Sequence, residues 1–164
     1  MKNYKKIIIL ANLLVVLVFF TNSIMKKEEL LSEGTLVLLE LAPVDPRSLM
    51  QGDYMRLRYK ISEKVNYDSI SKRGYCVVKL DSNKIANRVR IQDDQLPVYD
   101  DEYLIEYTNG NWSINIGAES YFFQEGDAQK YEVAKYGGIK VDKKGNSLLI
   151  GLYDENFKLI NHKR

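Results

Sequence analysis

Nineteen consecutive uncharged residues, Ile7 to Met25, constrain this chain more than any other feature. From Ile7 to Phe20 only Asn12 interrupts an apolar run. As a helix the nineteen residues extend about 28 Å at roughly 1.5 Å per residue. That length crosses the hydrocarbon core of a bilayer. Lys2, Lys5 and Lys6 precede the run with no acid among them, whereas Lys26 and Lys27 beyond it are followed at once by Glu28 and Glu29. The lysine bias predicts an N-terminus in the cytoplasm and everything after residue 25 outside it. A cleaved secretory signal has an apolar stretch of the same length, with Thr21 and Ser23 as its small residues, but an Ala-x-Ala pattern and a lipobox cysteine are both missing. The expected organisation is a cytoplasmic tail at 1–6, an uncleaved membrane anchor at 7–25 and one extracytoplasmic domain at 26–164.

Charge then narrows the partners. The whole chain carries a net charge of +2, but removing the first 25 residues leaves 21 basic and 22 acidic side chains, a balance of −1. A near-neutral domain offers no electrostatic footprint for nucleic acid. The lone Cys76 excludes an intramolecular disulfide, and its place in Tyr75-Cys76-Val77-Val78 reads as a small buried hydrophobe. The single histidine, His162, sits at a fraying chain end, which argues against a histidine-based triad or metal site. Neither a metal nor a cofactor is expected.

Twelve tyrosines and many Val and Ile residues favour strands. Residues 26–34 read as a short helix, or the continuation of the anchor, stopped by Gly34. Strands are expected at 35–41, 74–80, 84–91, 102–108, 112–116 and 121–123. Residues 54–61 alternate, with Met55, Leu57, Tyr59 and Ile61 on one face and Tyr54, Arg56, Arg58 and Lys60 on the other. Asp81-Ser82-Asn83 and Asn109-Gly110 mark hairpins, and 93–101 is an acidic, solvated loop. Residues 126–136 show helical spacing, stopped by Gly137-Gly138. Segments 139–141, 148–153 and 157–160 form a terminal meander. The fold expected is mainly β: an antiparallel barrel or sandwich with one amphipathic helix, behind an N-terminal transmembrane helix.

Within it, Gly52-Asp53-Tyr54-Met55-Arg56-Leu57-Arg58-Tyr59 matches the pattern GDYxxLxY at every fixed position. It resembles the bacterial membrane-anchored family named for that motif. Ala42-Pro43-Val44-Asp45-Pro46-Arg47 is similar to that family's lead-in, Tyr121-Phe122-Phe123-Gln124-Glu125-Gly126 to its aromatic-then-EG segment, and Gly145 and Gly151-Leu152 to its terminal hairpin. The likeness runs from about residue 30 to 155. It implies a topology rather than an activity: a hydrophobic anchor of the bacterial inner membrane, a short domain outside, and a polytopic membrane protein as companion.

The motif has its own physics. Pro46 fixes φ and restricts Asp45, and Gly52-Asp53 is a turn into a strand. Arg47 is placed to pair with Asp45 or Asp53. Leu57 and Tyr59 face the core, with Glu125 and Gly126 closing the later segment. One reading makes the motif a folding element. The other makes Asp45, Arg47, Asp53 and Tyr54 the wall of a binding site. Trp112 and the 121–123 cluster read as core rather than a sugar platform. The function expected is a non-enzymatic accessory or binding module. A hydrolase akin to type I signal peptidases is the alternative, but Val44 stands where their serine would be and Ser48 has no evident base. A carboxylate-based glycan enzyme has no distinguished acid pair, and the acidic residues at 93–94 and 100–102 lack a calcium-loop spacing.

Overall fold

The computed structural model describes residues 2–42, 50–51, 54–110 and 113–160. Helix α1 (Lys2–Glu33) is unbroken, so the expected helix at 26–34 is its last turns. From Tyr4 to Glu33 its side chains are exposed on all sides except Leu30, which is 7% exposed against the domain. The Gly34 amide still donates to the Leu30 carbonyl at 3.0 Å, and Lys140 Nζ donates to the Gly34 carbonyl at 2.7 Å. The helix end is therefore clamped to the domain rather than tethered by a linker.

Strand β1 (Thr35–Glu40) starts directly after Gly34, followed by β2 (Met50–Gln51) and β3 (Tyr54–Arg56). Then come β4 (Arg73–Leu80), β5 (Ala86–Gln92), β6 (Glu102–Asn109), β7 (Ile114–Asn115) and β8 (Ser120–Phe122). A one-turn helix α2 (Ala128–Tyr131) precedes β9 (Tyr136–Val141) and β10 (Ser147–Tyr153). Among the described residues these strands make sheets ordered β1-β9-β10, β2-β3-β8 and β5-β4-β6-β7, stacked like a sandwich and not closed into a barrel. Val37, Leu39 and Ile139 from the first sheet meet Cys76, Val78, Ile105 and Tyr107 from the four-stranded sheet. Met55, Leu57 and Tyr59 complete the core. Cys76 lies within it, where burial pushes its thiol up to about 12.

Three hairpin turns share one device. Asp81, Asp142 and Asp154 each accept from the backbone amides two and four residues on, all at 2.8 or 2.9 Å. In each, the residue three positions on adopts positive φ: Lys84 at 64°, Gly145 at 91° and Phe157 at 59°. Aspartate replaces missing ladder partners with its own carboxylate, which lets the chain reverse on a left-handed residue.

The structure corrects four expectations. Helix α2 spans only one turn of the expected 126–136 segment; past it the Lys135 amide already donates to the Tyr153 carbonyl at 2.8 Å, and Tyr136 enters β9. Gly137 and Gly138, expected to stop that helix, lie inside β9 as the places where aromatic rings press on bare backbone. A Cβ on Gly137 would sit 2.8 Å from Cε1 of Tyr59, and one on Gly138 would overlap the Tyr153 ring. The 54–61 strand ends early, in a 3-10 turn at Lys60–Ser62, although burial still alternates to Ile61. The last segment of the meander contributes a bridge, Tyr153 to Leu159, rather than a strand.

These contacts set the sign of two substitutions. Gly138→Ala should destabilise by roughly 1–3 kcal/mol through overpacking. Lys84→Gly should instead stabilise by up to about 1 kcal/mol by relieving a left-handed lysine. Chemical denaturation of both variants beside the parent measures the pair, and equal shifts would contradict the assignment.

Candidate functional site

The motif segment crosses the domain with strict sidedness. Met55, Leu57, Tyr59 and Ile61 are all 5% exposed or less, while Arg56, Arg58 and Lys60 point outward. Tyr59 does the most work. Its ring covers Gly137 and its hydroxyl donates to the Ala118 carbonyl at 2.5 Å. Burial, and secondarily the Glu119 carboxylate, pushes its phenol well above the usual tyrosine range, so it stays a neutral donor. Glu119 in turn accepts from the Ile116 amide at 2.5 Å.

Tyr54 stands on the other face, half-buried. Cross-strand pairing sets it opposite Phe122, and their rings lie 5.7 Å apart between centroids at a 38° tilt. Phe122 is 73% exposed, which corrects the expectation that the whole 121–123 cluster is core. Only Tyr121 and Phe123 turn inward, against Tyr131. Glu125 and Gly126 follow in an exposed turn where Gly126 adopts φ +87°. Asp45, Pro46, Arg47, Ser48, Gly52, Asp53, Trp112 and His162 lie outside the described residues, and with them the expected Arg47 pairing.

Beyond the motif, a cleft is lined by Glu40, Lys60, Ile61, Ala86, Asn87 and Arg88. Its charges are already used. Lys60 Nζ pairs with Glu40 at 2.9 Å. The Arg88 guanidinium donates to the carbonyls of Ile61 and, at 2.9 Å, Glu63, capping the 3-10 turn. Of the expected basic stripe, Arg56 and Arg58 have no ion pair among the described residues.

The acidic 93–101 segment is more than a solvated loop. Strands β5 and β6 flank β4 and both run antiparallel to it, so the segment joining them must cross β4. The outward side chains of Val77 and Leu104, 0% and 5% exposed, belong to this outer face rather than to the main core. Arg90 pins the strap that crosses it. Its guanidinium makes a bidentate pair with Glu102 at 2.6 and 2.8 Å and also donates to Pro97 O at 2.7 Å. The Tyr99 ring lies 5.6 Å from that guanidinium. Arg90 holds the Glu102 carboxyl below the usual glutamate range. Neither residue stood out in the sequence. The signal was there in the adjacent apolar pairs Val77-Val78 and Leu104-Ile105, since a strand apolar on both sides needs cover on both.

Among the described residues, no group of three or more His, Cys, Asp and Glu side chains is placed to hold a metal ion. What the domain presents here is the exposed Phe122 ring paired with the half-buried Tyr54, backed by the buried residues of the motif strand. The motif segment, the strand order and the apolar helix together define a helix-borne β domain organised around Gly-Asp-Tyr-x-x-Leu-x-Tyr. The chain belongs to the family described as GDYXXLXY protein, whose model matches residues 16–152. No curated protein and no solved structure matches it.

Tyr59→Phe should cost roughly 1–3 kcal/mol, because the Ala118 carbonyl would stay buried without its donor. The strap should respond to acid. Glu102 has a lowered folded pKa, so its contribution is complete above the ordinary glutamate range and is lost as pH falls through the folded value. Protection of the amides across 93–101, taken relative to their intrinsic exchange rates at each pH, should fall in acid in the parent and be low already at neutral pH in Arg90→Ala. Unchanged protection in that variant would show that Arg90 does not hold the strap.

Proposed function

We propose that this protein is a single-pass bacterial inner-membrane protein whose domain lies outside the cytoplasm. There it serves as a non-enzymatic binding module beside a multi-pass membrane protein. The observation that carries the reading is α1. Its span from Tyr4 to Glu33 has a mean hydropathy of 2.5 over its most apolar window, none of which is buried by the domain. An apolar helix left entirely unpacked is unstable in water and suited to lipid. The lysines before it favour an outward domain, and a polytopic companion is what the family resemblance implies. The contact face in this reading is the Tyr54–Phe122 pair with Arg56 beside it, since exposed aromatics and arginine are the side chains that dominate protein contacts. An alkaline phosphatase fusion after Arg164 should be active, and a fusion active only as a cytoplasmic reporter would overturn the orientation. Tyr54→Ala with Phe122→Ala should abolish co-purification of a multi-pass partner while leaving the melting temperature within a few degrees. Retained co-purification would move the contact elsewhere.

A further inference from the structure

The side of the domain that faces the bilayer can be read from strand register. Gly34 lies nine positions after Met25, about 13 Å of helix at roughly 1.5 Å per residue, much of it spent in the headgroup layer. The residues around the end of α1 are therefore the ones nearest lipid. Thr35, the first residue of β1, pairs with Val141, which pairs with Ser147. The turn 142–146 thus overhangs the point where α1 leaves the domain. Lys143 and Lys144 on this turn are exposed and have no ion pair among the described residues. A second segment is tied to the same place. Gln95 Nε2 donates to the Lys144 carbonyl and to the Tyr75 hydroxyl, both at 3.2 Å. The neighbouring Leu96 is 77% exposed, more than any other large apolar side chain of the described domain.

We propose that this end of the domain rests on the membrane, with Lys143 and Lys144 on anionic lipid headgroups and Leu96 dipping into the interface. The proposal rests on the reading of α1 as a membrane span. Lysine stems let their ammonium groups reach phosphates while the stem stays on apolar surface. Basic residues near an anionic leaflet are drawn to it within a Debye length. Glu28, Glu29 and Glu33 on the helix, Asp142 on the turn and Asp93 and Asp94 on the strap share this end. The attraction is therefore local to the two lysines and not a property of net charge.

The test uses the full chain in nanodiscs of phosphatidylcholine with a minority of phosphatidylglycerol. Spin labels are placed singly through Leu96→Cys, Phe122→Cys and Val15→Cys. Labelling under native conditions spares the buried Cys76. The label at 96 should be accessible to oxygen and shielded from a nickel chelate, and the label at 122 the reverse. Adding Lys143→Glu and Lys144→Glu should move the label at 96 into water. A label at 15 in hydrocarbon with labels at 96 and 122 equally aqueous would overturn this proposal and leave the anchor standing. A label at 15 outside hydrocarbon would overturn the anchor and this proposal with it. A label at 96 unmoved by the charge reversal would overturn the assignment of the lysines.

Discussion

The Tyr59 ring lies where Gly137 has no side chain, and its hydroxyl reaches across to the Ala118 carbonyl. This contact adds the central strand of the terminal sheet to a junction that the backbone pairing of the motif segment with β8 already begins. Its geometry explains a glycine that otherwise weakens a strand. A larger residue at 137 would push the ring outward and pull the hydroxyl from the Ala118 carbonyl. The same logic repeats at Gly138, which yields its space to Tyr153. The sheet thus trades side chains for close packing along its middle strand.

Local chemistry in this sequence was easy to read and long-range order was not. Asp81, Asn109-Gly110 and the alternation from Met55 to Ile61 each announce themselves within a few residues, because turns and pleats are decided locally. The pairing of β1 with β9 joins residues about a hundred positions apart, and no periodicity encodes it. Residues 126–136 misled for a related reason. Helical spacing favoured a helix, but a partner strand waiting in β1 drew Tyr136 and the glycines after it into the sheet. Propensity is a weak guide where tertiary pairing competes for the same residues.

The site was legible in part. Leu57 and Tyr59 could be assigned inward and Tyr54 outward from period two alone. That Phe122 would turn out to meet Tyr54 required knowing that β3 and β8 are neighbours. Arg90 and Glu102 were hidden in ordinary strand sequence, because the strap that gives them a purpose exists only once β5 and β6 are seen on either side of β4. A charged pair 12 residues apart carries no signature until topology brings it over a buried valine.

A single residue separates α1 from β1, and both sides of that joint are bonded: Gly34 to Leu30 within the helix, Lys140 back to Gly34 from the sheet. Such a joint transmits torque. Turning α1 about its own axis must swing the whole domain through the same angle, like a vane fixed to its shaft. The heading of the aromatic face around the helix axis is then set by whichever side of α1 is gripped, and a contact made along the helix selects what the distant domain can touch.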